Sequence, residues 1–124
     1  MTHDSFHAYC AAKPGTTSSF PFSEGILVFK VCGKMFALAW LNQEPMGVNL
    51  KCDPEWSHVL RETYDAVKPG YHMNKQHWNT VTVDGSIPEA ELFAMIDHSY
   101  DLVVKGLKKA DREQLAKWTR LQSR

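Results

Sequence analysis

The segment Ile26–Trp40, with the sequence ILVFKVCGKMFALAW, decides the fold because it holds two runs of strand-forming residues around a turn. β-Branched and aromatic side chains, which fit a pleated and half-buried surface, occur in both runs. Cys32-Gly33 separates the runs, and glycine accepts the positive φ that a tight hairpin turn needs. The segment therefore predicts an antiparallel hairpin around which the rest of the chain is arranged.

Three further extended segments are predicted outside this hairpin. TTSSFPF, residues 16–22, is a short extended piece, and Pro21 confines it to a sheet edge or a strand end. MGVNLKC, residues 46–52, alternates as a third strand would. HWNTVTV, residues 77–83, also alternates and stops at the turn Asp84-Gly85.

The two inner helices are predicted from their start signals. Asp53 is a natural N-cap with Pro54 at the first helical position, and this helix should fade near Ala66. Ser86 and Glu89 have capping-box spacing before the next helix. That helix has an apolar stripe with spacings of three and four, typical of a face turned toward the core. The stripe consists of Leu92, Ile96, Tyr100, Val103 and Leu107.

The two terminal helices are shorter, and they complete the predicted order of elements. The first should run from about Asp4 to Ala12, where Pro14-Gly15 ends it. The last should run from about Asp111 to Leu121, and its inner side is marked by Leu115, Trp118 and Leu121. Strands in sequence with a short hairpin favour an α+β fold, in which helices pack on an antiparallel sheet.

Composition and cysteine use are those of a cytoplasmic globular protein, with 44% hydrophobic and 23% charged residues. The first residues lack the pattern of a signal peptide, and the longest apolar run, Met35–Leu41, is too short to span a bilayer. The cysteines, Cys10, Cys32 and Cys52, are odd in number and form no Cys-x-x-Cys pair, so we expect reduced, largely buried thiols. We expect no membrane partner and favour a monomer.

Charge limits the kind of nucleic-acid binding that the chain can support. It carries 14 basic and 14 acidic residues, so its net charge is zero. Strong non-specific binding to nucleic acid usually needs a clear basic excess. A local basic face remains compatible with the sequence, and a basic stripe across the sheet would form if Lys30, Lys34, Lys51 and Lys75 shared one face.

The loop PGYHMNKQHW, residues 69–78, is the candidate site because it mixes aromatic, cationic and amide side chains. In one interpretation it is structural, since Pro69-Gly70 sets a turn and Trp78 anchors the next strand in the core. In the other, cationic groups contact phosphate while an aromatic ring offers a stacking surface. We expect the structural role to come first. The side chains then left to meet a partner are His72, Lys75 and His77, and Tyr71 or Trp78 would be the stacking surface of the second interpretation.

No catalytic, cofactor-binding or metal-binding residue is predicted. His98, Ser99 and Asp101 point in different directions on a helix, so they cannot form a nucleophile, a base and an orienting acid among themselves. His72 and His77 lack a nearby cysteine or carboxylate that would complete a metal ligand set.

Four segments resemble, in order, the signature segments of the MmcQ/YjbR family of small bacterial proteins. They are FKVCGKMFAL (29–38), NLKCDPE (49–55), PGYHMNKQHWNTV (69–81) and IDHSYDLVVKGL (96–107). The resemblance runs from about Phe20 to Leu107. It implies a single domain, 1–124, whose fold is similar to the bacterial frataxin CyaY and has also been described as a double wing. It also implies DNA binding, a label that rests on fold analogy.

Two features depart from that resemblance. Frataxins carry an acidic ridge for iron on their first helix, whereas the first helix here has only Asp4, so no iron site is implied. Residues from about 108–124 match no family segment and are expected to form a C-terminal helical extension.

Three functions are compatible with these residues. The first is a non-enzymatic DNA-binding protein that contacts the nucleic-acid backbone weakly through a basic sheet and hairpin face. Its predicted contacts are Lys30, Lys34, Lys51, Tyr71, His72, Lys75 and His77. The second is a binder of a small anionic ligand, or an enzyme acting on one, around His72, Lys75 and His77. The third is a protein-interaction module.

Overall fold

The predicted hairpin lies within a six-stranded antiparallel sheet of order β1-β2-β3-β4-β6-β5. A computed structural model describes residues 1–122, which form this sheet and four helices. The α+β prediction is therefore confirmed. The strands are β1 (Thr16–Ser19), β2 (Ile26–Val31), β3 (Lys34–Trp40), β4 (Met46–Lys51), β5 (Val67–Pro69) and β6 (Trp78–Val83). The helices are α1 (His3–Ala11), α2 (Pro54–Thr63), α3 (Glu89–Lys105) and α4 (Lys109–Gln122).

The central hairpin turns through two residues with left-handed backbone. Cys32 has φ 49° and Gly33 has φ 79°, as a two-residue turn that matches the twist of its strands requires. The β2–β3 register shifts between Phe29 and Lys30, which pair with Ala37 and Met35. Phe36 is therefore the extra residue of a β-bulge, and its side chain is fully buried in the core.

Helices cover one face of the sheet and leave the other face to loops. α3 lies across β2, β3 and β4, while α1 packs at β1 and α2 at β5. Alternate strand residues such as Phe29, Val48 and Val81 join the core together with Ile96 of α3. The residues between them point to the opposite face, which we call the uncovered face.

Two residues of α3, Asp97 and Tyr100, hold the start of the chain. The Asp97 carboxylate accepts a hydrogen bond from the Tyr9 hydroxyl at 2.7 Å and pairs with the Lys13 ammonium. These partners hold the pKa of Asp97 below its usual value, although burial opposes the shift. The Tyr100 hydroxyl donates to the Pro14 carbonyl at 2.5 Å. Tyr100 is buried, as its place in the apolar stripe predicts.

The two residues between them, His98 and Ser99, hold the strand ends. The Asp53 backbone N–H donates to His98 Nε2 at 3.0 Å, which requires a neutral imidazole. Burial lowers the pKa of His98 and thereby favours that neutral form. Ser99 Oγ accepts from the Lys51 N–H at 2.8 Å and donates to the Phe36 carbonyl at 2.5 Å, which satisfies the bulge. Both side chains therefore have structural partners.

The predicted capping box of α3 is wrong. α3 begins at Glu89 with Pro88 at the N-cap position and has no side-chain cap. The Ser86 N–H and hydroxyl both donate instead to the Asp84 carboxylate, at 3.0 and 2.6 Å. Ser86 therefore forms hydrogen bonds with the Asp84 carboxylate instead of with the first backbone N–H groups of α3. The Asp53 cap of α2 is confirmed, since its carboxylate accepts from the Trp56 N–H at 3.4 Å.

Three other expectations need correction. β5 was missed because three residues are too few for a periodic pattern, and α2 ends at Thr63 rather than near Ala66. Trp118 and Leu121 were expected to face inward on α4, but only Leu115 of that trio is buried. Cys32 is exposed at the hairpin turn, whereas Cys10 and Cys52 are buried thiols.

No helix in residues 1–122 has the length and hydrophobicity needed to cross a bilayer. The division into a domain and an extension from about residue 108 stays a prediction, and α4 lies within that extension.

Candidate functional site

The strands of the sheet carry positive charge alone. In the described part of the chain, the six strands contain four lysines, Lys30, Lys34, Lys51 and Lys68, and no aspartate or glutamate. Lys30, Lys51 and Lys68 each follow a core-facing residue along their strands, so their side chains project from the uncovered face. Within residues 1–122, all aspartate and glutamate side chains lie in helices and loops. The strands are therefore positively charged although the net charge of the chain is zero.

Two of the predicted lysines meet at the hairpin end of the sheet. Lys34 and Lys51 line a shallow hollow of about 370 Å³ together with Trp78, and Leu102 of α3 forms part of its wall. Lys51 and Trp78 are direct register partners on β4 and β6. The hollow is therefore lined by two lysines and an indole, and Met35 is a further lining residue.

Tyr71 and His72 line a different cavity, which lies over the middle of the uncovered face. Its volume is about 320 Å³, and its floor is made by strand residues that include Leu38 and Trp40. Tyr71 and His72 approach from the β5–β6 loop, and Phe22 approaches from the β1–β2 connection. We call this space the aromatic cavity.

Lys75 and His77 line neither the hollow nor the aromatic cavity. The Lys75 ammonium donates to the Gly70 carbonyl at 3.0 Å, so it braces its own loop. His77 is exposed, and its backbone N–H donates to Asn74 Oδ1 at 3.2 Å. The structure therefore does not bring His72, Lys75 and His77 together around one cavity.

A buried amide fixes the loop on the uncovered face. Asn49 is 1% exposed, and its Nδ2 donates to the Tyr71 carbonyl at 3.1 Å. Its Oδ1 accepts from the Thr80 hydroxyl at 2.5 Å, and the same hydroxyl accepts from the Tyr71 N–H at 2.8 Å. Both backbone polar groups of Tyr71 are thus bound by the sheet below it, which fixes where its ring can lie.

Arg61 of α2 holds the β5–β6 loop from the helix-covered face of the sheet. Arg61 was not identified from the sequence as part of the site. Its Nε donates to Asn79 Oδ1 at 2.8 Å, and its terminal nitrogen donates to the carbonyls of Lys75 and Trp78 at 2.5 and 3.2 Å. Asn79 also donates to the Ser57 hydroxyl at 3.3 Å. Ser57 and Arg61 lie four residues apart on one helix face, and this spacing is the signal that could have identified them.

The backbone of the loop is tight at both ends. The Gly70 N–H donates to the Trp78 carbonyl at 2.8 Å, and a Cβ at Gly70 would lie 2.9 Å from that oxygen. His72 has φ 60°, a left-handed conformation that is uncommon outside glycine and asparagine. Trp78 is buried as predicted, but it pairs with Lys51 on the uncovered face and lies outside the core cluster, so the expectation that it anchors β6 in the core is wrong. The loop therefore has the structural role that was expected first.

Among residues 1–122, no group of three or more His, Cys, Asp or Glu side chains could hold a metal ion. Burial raises the pKa of the Cys10 thiol to about 12, so this side chain stays protonated at neutral pH. Burial also raises the pKa of Cys52. Thiolate character, which nucleophilic cysteines need, is therefore disfavoured at both buried positions.

Comparison with known proteins identifies relatives along most of the chain. The model of the YjbR protein family matches residues 11–102. The uncharacterised protein YjbR of Escherichia coli K12 is 35% identical over 115 residues, covering 93% of this chain and 98% of that protein. The uncharacterised protein YbdF of E. coli O157:H7 is 37% identical over 113 residues, covering 91% and 93%.

A solved structure has the same fold. The crystal structure of Deinococcus radiodurans protein DR2400, described as a DUF419 domain, superposes with a TM-score of 0.87 at 41% identity. The match covers 93% of this chain and 88% of that one, so the two proteins share the overall fold.

Proposed function

The chain belongs to the YjbR family, and we propose that it is a non-enzymatic nucleic-acid-binding protein whose uncovered face contacts the phosphate backbone. The observation that supports this most is the distribution of charge: within residues 1–122 the strands carry four lysines and no carboxylates, although the net charge of the chain is zero. Phosphate contacts position a protein on nucleic acid, and lysine side chains on a sheet can make them. The predicted partner is DNA.

The proposed binding is weak and depends steeply on salt. Each phosphate that a lysine neutralises releases condensed counterions, and the logarithm of affinity falls by about 0.9 per contact for each tenfold rise in salt. The three lysines of the uncovered face therefore limit the slope for duplex DNA to about 3, because Lys34 pairs with the core residue Val31 and lies on the other face. The 14 carboxylates, which all lie in helices and loops, oppose the attraction and keep the affinity low.

The double-wing arrangement is part of this proposal. The connection that carries Phe22 and the loop that carries Tyr71 both line the aromatic cavity, although they leave the sheet at different strands. We propose that this connection and this loop are the two wings. Lys30, Lys51 and Lys68 project from the same uncovered face of the sheet. A non-enzymatic role is supported by the structural engagement of His98 and Ser99. A bacterial cytoplasmic location and a monomeric state complete the proposal.

A small-ligand binder is the second candidate, and the aromatic cavity favours it. Small-molecule sites have volumes of about 300–1,000 Å³ and predominantly apolar linings. The cavity has about 320 Å³ and is mostly apolar, with Asn49 and His72 as its polar lining residues. An anionic ligand is disfavoured there because Lys75 and His77 lie outside the lining.

The test of the proposed function compares two triple variants with the same change in charge. One replaces Lys30, Lys51 and Lys68 by glutamine. The control replaces Lys108, Lys109 and Lys117, which are exposed at or on α4. Fluorescence anisotropy with labelled duplex and single-stranded DNA at about 50 and about 200 mM salt measures affinity and salt slope.

We expect the strand variant to lose binding to DNA and the α4 variant to keep it. The salt slope of the strand variant should fall by about one unit per contact removed. Absence of binding by the wild-type protein at low salt would refute the proposed function. An equal loss in both variants would show that net charge, rather than the uncovered face, governs binding.

A further inference from the structure

The aromatic cavity presents rings to solvent from two sides of the uncovered face. The Phe22 side chain is 70% exposed and the Tyr71 side chain is 58% exposed, although both line the cavity. Tyr71 and His72 have ring centroids 3.9 Å apart, and the Tyr71 ring lies 6.1 Å from that of Trp40. A flat ligand in this cavity would contact Phe22 on one side and the Tyr71–His72 cluster on the other.

The basic hollow adjoins the aromatic cavity. Met35 lines both the aromatic cavity and the hollow that Lys34 and Lys51 line, so the two spaces meet at this residue. A ligand with a planar aromatic part and a nearby anionic part would match this arrangement in both shape and charge. A nucleotide within a strand has both parts, joined through its sugar.

The cavity wall is held before any ligand arrives. Asn49 and Thr80 bind the backbone of Tyr71, and the left-handed backbone of His72 holds its ring against Tyr71. Strained residues persist where the surrounding structure holds them, and they occur often at ligand sites. A preformed wall lowers the entropy that binding must overcome.

We propose, on the basis of the proposed nucleic-acid function, that the aromatic cavity binds an unpaired nucleobase and that the partner is therefore single-stranded nucleic acid. The base stacks between Phe22 and Tyr71 while the adjoining phosphate lies at Lys34 and Lys51. Bases in a duplex are stacked on one another and cannot enter such a cavity without leaving the helix. Because an apolar cavity reads the face of a base, the sequence preference is weak.

The chain offers a matched control for this inference. Phe20 and Phe22 lie two residues apart in the same connection and are both exposed, at 50% and 70%, but only Phe22 lines the aromatic cavity. The variants are therefore Phe22→Ala and Phe20→Ala. Tyr71→Ala and Tyr71→Phe form a second pair, because phenylalanine keeps the stacking ring.

Anisotropy titrations use a short single-stranded oligonucleotide, the duplex of the same sequence, and an abasic strand of the same length. Stacking contributes about 1–3 kcal/mol per base, or about 5- to 150-fold in affinity. We expect the single strand to bind more tightly than the duplex and the abasic strand by a factor in this range. Phe22→Ala and Tyr71→Ala should each weaken single-strand binding about fivefold or more, and Phe20→Ala and Tyr71→Phe should retain it.

Each outcome has a definite meaning. Equal binding of single strand, duplex and abasic strand, with no effect of Phe22→Ala, would overturn the base cavity while leaving backbone binding intact. Loss of binding in Phe20→Ala to the same extent as in Phe22→Ala would also overturn it. No binding to any of the three probes would refute the proposed function itself, which separates the two failures.

Discussion

Replacement of Arg61 by alanine should loosen the β5–β6 loop and destabilise the protein. The change removes the donors to Asn79 and to the carbonyls of Lys75 and Trp78. Asn79 is 2% exposed, so its Oδ1 would be left without its arginine donor in the interior. An unsatisfied buried polar group costs about 1–3 kcal/mol, while the Trp78 carbonyl keeps its bond from the Gly70 N–H and the exposed Lys75 carbonyl can bond water. We expect the free energy of unfolding to fall by about 2–3 kcal/mol.

Urea denaturation followed by far-UV circular dichroism measures this change. With a slope of about 1–3 kcal/mol per molar urea for a small domain, the midpoint should fall by about 0.7–3 M at unchanged slope. Arg61→Lys should recover little stability, because an ammonium cannot reproduce the fork of three donated bonds. Hydrogen exchange should accelerate in residues 70–77 before it changes in the central strands.

The matched control is Arg112→Ala, since Arg112 is exposed on α4. Its free energy of unfolding should stay within about 0.5 kcal/mol of the wild-type value, as is usual for surface changes. If Arg61→Ala and Arg112→Ala have the same midpoint, the hydrogen bonds of Arg61 do not hold the loop. An Asn79→Ala variant combined with Arg61→Ala should be less destabilised than the sum of the two single changes, because the residues share one interaction.

Three further predictions concern other contacts of the fold. In urea titrations, Trp78→Ala should lower the free energy of unfolding by about 3–5 kcal/mol, and Lys75→Ala should lower it by under about 1 kcal/mol. A larger loss in Lys75→Ala than in Trp78→Ala would contradict the buried position of Trp78 and the exposed position of Lys75. Tyr100→Phe should cost about 0.5–1.5 kcal/mol through its lost bond to Pro14, whereas Tyr100→Ala should cost about 3–5 kcal/mol; equal losses would contradict the buried ring. Wild-type stability should fall as pH drops below about 6.5, because the unfolded state protonates His98 before the folded state does. His98→Gln should show a shallower fall, and an identical pH profile would contradict the lowered pKa.

The sheet and its helices were predictable where local patterns carry the information. The hairpin followed from Gly33 and its flanking β-branched residues, and the buried stripe of α3 followed from its spacing. β5 was not predictable in this way, because Val67–Pro69 is too short for a period and owes its place to pairing with β6. The failed capping box at Ser86 shows that two local motifs can compete for one side chain, and here Asp84 prevailed.

The candidate site was predictable only in part, because its geometry depends on contacts between distant residues. The aromatic and cationic residues of the β5–β6 loop were identified from composition. Their directions were not, since the position of Tyr71 is fixed by Asn49, which lies 22 residues earlier. The brace from Arg61 is likewise set by the docking of α2. Sequence therefore identified which residues are available, and tertiary contacts determined that Lys75 braces the loop while Tyr71 and His72 face a cavity.

The same contacts connect stability with the proposed binding. Asn49 and Arg61 touch the loop from opposite faces of the sheet, and neither would need to contact a base in order to affect its binding. If the loop were mobile before binding, each of its side chains that the ligand immobilises would reduce the binding free energy by about 0.5–1.5 kcal/mol. A loop already fixed by these bonds avoids that cost. Weaker single-strand binding by Arg61→Ala, with unchanged binding by Arg112→Ala, is therefore the expected consequence of a preformed cavity. Unchanged binding in both variants would mean that the wall forms around its ligand instead.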